Sequence, residues 1–200
     1  IKHVTTASGV ETIRRYKREG VAVSAEATPH HLIFTDEDVG DYDTNFKVRP
    51  PLRPAADTAA LLEGLIDGTI DIIATDHSPH TEFEKTSDFA SAPFGVTGLE
   101  TALPALHHYF IQSGKLTWDI LVERMSVAPR RLIGLPVPDI AENAAVNAVL
   151  FDPAGITKIN RASLKSRSLN TPFLGRELTG SVDLVLLGDR VLLDRYAAAS

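Results

Sequence analysis

Residues 70–80 read Ile70-Asp71-Ile72-Ile73-Ala74-Thr75-Asp76-His77-Ser78-Pro79-His80. A β-branched apolar run ends here on an aspartate followed closely by two histidines. Such a run is the signature of a buried strand, and the carboxyl ends of buried parallel strands form the face where loops and ligands gather. Asp76 at that position reads as a metal ligand or general base. It reads equally as a strand-end cap of the following turn, with the histidines facing solvent. The rest of the chain bears on the choice.

Working outward, residues 54–67 carry a proline start, the apolar set Leu61, Leu62, Leu65 and Ile66, and Gly68 as a stop, which predicts a helix. Residues 21–27 alternate as a strand, and residues 8–19 fit a helix capped by Ser8 with Val10, Ile13 and Arg14 on one face. Residues 1–5 form a further strand. Strand–helix alternation with short connections predicts parallel βαβ units. Three strand ends carry polar clusters: His3, then Thr28-Pro29-His30-His31, then Asp76-His77. No glycine-rich phosphate turn follows a strand, so a TIM-like (β/α)₈ barrel fits better than a dinucleotide-binding sheet.

Beyond residue 97, helices are expected over 98–112 and 118–131, placing His107 and His108 as surface or core filler. After Leu135-Pro136-Val137-Pro138 the pattern changes to strands at 147–151, 156–159 and 182–193, with a turn at Gly188-Asp189. The expected organisation is residues 1–136 as the carboxyl-terminal part of a barrel and 137–200 as part of a small β-sandwich. The chain opens in what reads as the middle of a strand, without Met. A piece of a longer protein, lacking an amino-terminal portion, is therefore expected.

The chain has 200 residues, 44% of them hydrophobic and 23% charged, enough for a real core in an ordinary globular fold. It has no cysteine, so any metal must be held by histidine and carboxylate. The net charge of −6 without a sustained basic stripe argues against nucleic acid. Arg14-Arg15-Tyr16-Lys17-Arg18 fits the solvated face of a helix. No run is long enough to cross a bilayer and no signal-peptide pattern opens the chain, so a cytoplasmic protein with no membrane partner is expected.

Several motifs occur in a telling order: Thr28-Pro29-His30-His31-Leu32, Phe46-Lys47-Val48, Pro50-Pro51-Leu52-Arg53, Asp67-Gly68-Thr69-Ile70-Asp71, and Thr75-Asp76-His77-Ser78-Pro79-His80. Ala92-Pro93-Phe94-Gly95-Val96-Thr97-Gly98-Leu99-Glu100-Thr101 and Asn170-Thr171-Pro172-Phe173-Leu174-Gly175 follow. Together they resemble the carboxyl-terminal half of bacterial class I dihydroorotases, members of the amidohydrolase superfamily. The resemblance covers residues 1 to about 193. It implies a (β/α)₈ barrel with a binuclear zinc site and a flanking β-sandwich. It further implies reversible hydrolysis of L-dihydroorotate to N-carbamoyl-L-aspartate in pyrimidine biosynthesis.

Carried onto this chain, the resemblance makes His3 a metal ligand and Asp76 both a metal ligand and the catalytic proton shuttle. His80 would hold the substrate carboxylate, and Phe94 and Gly95 lie in the loop that closes over the substrate. His30 and His31 are read as loop or supporting residues rather than ligands. Such chemistry needs water activated at neutral pH, and zinc lowers the pKa of bound water to roughly 7. Arg49 stands where relatives often carry asparagine on the substrate side, so a charged contact replaces the usual one. The implied partners are a small-molecule substrate, a second copy in a homodimer, and aspartate transcarbamoylase. The amino-terminal metal ligands of the family are absent from these residues, so this piece alone is expected to be inactive. Two other readings remain: another cyclic amidohydrolase of allantoinase or dihydropyrimidinase type, and a non-catalytic partner of aspartate transcarbamoylase. The presence of His3 and Asp76 counts against the latter.

Overall fold

Helix α1 (Ala7–Arg18) buries Val10 and Ile13, as the apolar spacing requires. The computed structural model describes residues 1–197, and in it the cap of α1 is Thr6 rather than Ser8. Thr6 is extended and its hydroxyl accepts from the Gly9 N–H at 3.1 Å, whereas Ser8 already lies in the first turn. The basic run divides by face. Arg15 and Arg18 are exposed, while Arg14 pairs with Asp67 at 2.8 Å and Lys17 with Asp71 at 2.7 Å. Lys17 also donates to the Gly68 carbonyl. These contacts tie α1 to the end of α3 (Ala55–Asp67), which Gly68 terminates at φ 85°.

The strands are shorter than the apolar runs suggest. Strands β1 (Glu26–Ala27) and β2 (Ile72–Ile73) pair in parallel. Residues 1–4 lie beside β1 through Val4 N–H to Glu26 O and Glu26 N–H to Ile1 O. Regular pairing stops where the backbone leaves the extended region: at His3 (φ 50°), at Asp76 (φ 48°), and after Thr28. Thr28 caps a short helix, α2 (Pro29–Ile33), by accepting from the His31 N–H. What reads as a loop is thus a capped helix start that turns His30 and His31 in different directions.

Two apolar clusters hold the fold. Val4, Val10, Ile13, Leu61, Leu65, Ile70, Ile73, Leu106 and Leu121 pack between the helices and the strand segments. Phe34, Val48, Leu52, Val96, Ile159, Phe173 and Leu178 form the second, with the Phe34 and Phe173 rings 5.0 Å apart. Packing therefore runs continuously across position 136, because Ile159, Phe173 and Leu178 share a core with residues that support the strand ends.

Downstream helix α5 (Ala102–Leu106) continues as a wide turn, His107–Ile111. After it, α6 (Trp118–Val122) and α7 (Ala128–Leu132) flank a similar wide turn. The chain then forms an antiparallel sheet of β3 (Asn147–Lys158), β4 (Glu177–Leu187) and β5 (Arg190–Asp194). Val149, Leu150, Ile156, Val191 and Leu192 of this sheet are exposed. His107 and His108 do more than fill space. His107 Nδ1 donates to the Thr179 carbonyl at 2.8 Å, and His108 Nδ1 accepts from the Thr179 N–H at 3.1 Å. The pair fastens β4 to the helical layer by both backbone polar groups of one residue, Thr179. The expected β-unit of 137–200 includes residues 198–200, which lie outside the described residues.

Candidate active site

Residues 1–5, expected as a strand, run beside β1 without forming a regular one, yet His3, His30 and Asp76 still come together. His3 Nε2 lies 3.8 Å from Asp76 Oδ1, and His30 Nε2 lies 4.0 Å from Asp76 Oδ2. Both separations exceed hydrogen-bond length. His30 Nε2 is buried and has no hydrogen-bond partner among the described residues. Glu26 Oε1 sits 3.1 Å from His3 Nδ1 but off the direction of a hydrogen bond, so that nitrogen is likewise unsatisfied. Unpartnered buried nitrogens are costly. They are also the donor type that a divalent cation uses. His3 and Asp76 both have positive φ, as do Tyr42 and Asn143, a conformation uncommon for non-glycine residues and one in which His and Asp are enriched.

Burial sets the protonation of the histidines. Desolvation, with the neighbouring His31 and His3 adding to it, drives the His30 pKa well below its ordinary value, so its imidazole is neutral. His31 is lowered to about 4, chiefly by burial and partly opposed by its hydrogen bond to Pro50 O. Its Nε2 donates to that carbonyl at 2.8 Å and its Nδ1 accepts from the Thr28 hydroxyl at 2.7 Å. His31 thus bonds α2 to the Pro50 turn with both ring nitrogens. His30 departs from its reading as a supporting residue, because its free nitrogen faces Asp76. The available signal was position: His30 and Asp76 each lie three residues past a short strand, and His3 lies in the segment that runs beside β1.

A pH effect follows from His31. Its pKa is near 6.5 in the unfolded chain and about 4 in the folded one. Between those values the unfolded state binds more protons, so stability falls as pH drops from about 6.5 towards 4. The loss from this group is on the order of 3 kcal/mol at full protonation. Urea titrations across that range should show a shallower fall for His31→Gln, by about 1.4 kcal/mol per pH unit. Equal slopes would mean that His31 is not held neutral by the fold.

The expected substrate-side residues also meet. His80 Nε2 donates to the Phe94 carbonyl at 3.0 Å, and its Nδ1 lies 3.9 Å from Glu84 Oε2. The Arg49 guanidinium stacks over the Phe94 ring at 4.4 Å. Gly95 sits at φ 124°, and a Cβ there would lie 2.5 Å from Ser78 Cβ and 3.3 Å from His80 Nε2. Arg49 and Phe94 are exposed, so this surface is open to solvent. Asn170, quoted above only as part of a motif, joins its two loops. It donates to Ser78 O at 2.9 Å and to Gly95 O at 3.1 Å, and accepts from His80 N–H at 3.1 Å. Among the described residues, no three histidine, cysteine or carboxylate side chains are close enough to hold a metal ion by themselves, and no helix is long and apolar enough to cross a membrane.

No family model matches the chain. A dihydroorotase of Carboxydothermus hydrogenoformans is 46% identical over 181 residues, covering 90% of this chain and 42% of that protein. A dihydroorotase of Bacillus subtilis is 44% identical over 178 residues, covering 89% and 42%. Among solved structures, an L-hydantoinase (dihydropyrimidinase) from Arthrobacter aurescens superposes with a TM-score of 0.87 at 30% identity, over 97% of this chain and 44% of that one. A dihydropyrimidinase of Brevibacillus agri superposes at 0.84 with 24% identity, a likeness of fold. The chain spans less than half the length of the curated relatives it matches. Over about nine-tenths of its length it is similar to part of the dihydroorotases, and it shares the fold of part of the hydantoinases.

Proposed function

We propose that the protein containing this chain is a metal-dependent dihydroorotase, opening and closing the ring of L-dihydroorotate. The observation that carries the reading is the approach of His3, from the segment beside β1, and His30, from the start of α2, to the carboxylate of Asp76 just past β2. Membership of the superfamily implies a metal cofactor, and the donors here suit one. His30 offers a neutral, unpartnered, buried nitrogen, and Asp76 and His3 lie beside it. Ligands on one ion with bonds near 2.0–2.2 Å sit roughly 3–3.5 Å apart, a little closer than either imidazole lies to Asp76. They fit as part of a shell, with zinc as the proposed ion. When bound, that ion supplies Lewis acidity and a lowered pKa for water.

The chain's own residues then divide the work. Asp76 takes the proton of the attacking water and returns it to the departing ring nitrogen. His80, through Nδ1 or by exchanging its bond to the Phe94 carbonyl, and Arg49 face the substrate carboxylate, fixing the ring so that its amide carbonyl meets the nucleophile. Phe94 and Gly95 form the surface on which the ring lies.

The test compares substrates on the intact protein. Dihydrouracil and hydantoin lack the carboxylate and leave His80 and Arg49 unmatched, so kcat/KM for dihydroorotate should exceed theirs by at least ~10²-fold. His80→Ala should erase most of that preference. The hydantoinase structures favour a second reading, a general cyclic-amide hydrolase. Comparable kcat/KM on dihydrouracil would establish it instead.

A further inference from the structure

Beneath the Phe94–Gly95 surface lie two buried lysines with no carboxylate ion pair among the described residues. Lys47 and Lys85 are each only about 6–7% exposed. Lys47 Nζ donates to Ala90 O at 2.8 Å and Ala92 O at 2.6 Å. Lys85, at the end of the short helix α4 (Glu82–Lys85), donates from Nζ to Pro93 O at 3.1 Å and Gly95 O at 3.2 Å. Four carbonyls of one six-residue loop are thus bound by two ammonium groups. The Gly95 carbonyl is shared with Asn170 Nδ2, and the Gly95 N–H donates to Lys47 O at 2.9 Å. Burying an ammonium without a counter-charge is expensive. Desolvation, with Lys47 nearby and the more distant Asp43 carboxylate partly opposing both, lowers the Lys85 pKa to about 8. An apolar pair would fill the space but leave these carbonyls without their ammonium donors, so the lysines hold the loop and bring two positive charges with them.

We propose that Lys47, Lys85 and Asn170 are positioning residues that fix loop 90–95 against His80, and that the two ammonium groups bias the resulting surface towards an anionic substrate. The proposal rests on the dihydroorotase reading for the identity of that anion. Loop placement follows from the carbonyl contacts alone. Asn170 sets the spacing of the two loops, because one side chain bonds Ser78, His80 and Gly95 together. The lysines add positive potential from below, where the low dielectric of the interior weakens screening.

The experiment uses the intact protein with Lys85→Met, Lys85→Arg and Asn170→Ala, steady-state kinetics on dihydroorotate and dihydrouracil, and amide hydrogen exchange of residues 90–96. Lys85→Met should raise KM for dihydroorotate by ~10-fold or more with kcat changed less than ~3-fold, should raise KM for neutral dihydrouracil by a clearly smaller factor, and should speed amide exchange in residues 90–96. Lys85→Arg, which restores charge, should recover most of the affinity. Asn170→Ala should speed exchange in 90–96 and raise KM for both substrates. If Lys85→Met does not fold, Lys85→Arg and Asn170→Ala still decide between positioning and filler. Unchanged KM together with unchanged loop exchange in the folded variants overturns the proposal. If the unaltered protein fails to turn over dihydroorotate, the functional reading fails instead, and the exchange rates alone then judge the clamp.

Discussion

Replacing Asp76 by Asn in the intact protein is expected to lower kcat for dihydroorotate by a factor on the order of 10² to 10⁴, the usual worth of a positioned acid–base group. The choice of Asn matters. Asp76 sits at φ 48°, and Asn is among the few residues that tolerate that backbone, so the strand end keeps its shape. The amide retains one oxygen towards the imidazoles of His3 and His30 but cannot accept the proton of an attacking water. Metal content should fall less than turnover, because His3 and His30 remain. Measuring both on one preparation separates a lost base from a lost ligand. Near-normal turnover with metal bound would remove Asp76 from the proton path.

Gly95→Ala is the second large effect. Its φ of 124° lies where side chains are rarely accommodated, and the new Cβ would stand 2.5 Å from Ser78 Cβ. Ser78 belongs to the loop that carries Asp76 and His80, which Asn170 holds in place. Strain and overpacking together should cost on the order of 3 kcal/mol, or roughly 6–12 °C in Tm for a unit of this size. Gly20→Ala is the control. Gly20 also has a positive φ, 81°, but open space around it, so only the backbone cost of about 1–2 kcal/mol applies. Equal shifts for the two variants would show that the contact with Ser78 relaxes freely.

Some of this architecture was legible in the residues and some was not. Helices α1 and α3 followed from apolar spacing, a proline start and glycine stops, because those signals act within a few residues. The meeting of His3 with Asp76 was expected from their positions at strand ends, a rule of topology rather than of local preference. The role of His30 was obscured because Thr28-Pro29-His30-His31 reads as a turn. Only the cap on α2 decides which imidazole faces Asp76 and which faces Pro50. Asn170 was visible as a residue but not as a link, since its partners lie some 75 to 92 positions away. The cages around Lys47 and Lys85 could not be read either, because carbonyl oxygens leave no mark in a sequence.

The left-handed backbone at His3 and Asp76 also constrains how this site can evolve. At such positions the accessible alternatives are Asn, Asp, His and Gly, and β-branched residues are shut out. A saturation library at either position should therefore retain folded protein for that short set and lose Val, Ile and Thr, whether or not activity is selected. Drift is channelled towards residues that can themselves bind a cation or accept a proton. A lineage that loses catalysis would drift at these two places towards glycine, asparagine, aspartate or histidine, three of which resemble ligands for backbone reasons alone. Their presence in a distant homologue thus carries less information about activity than a histidine at position 30, where the helical backbone would accept many others.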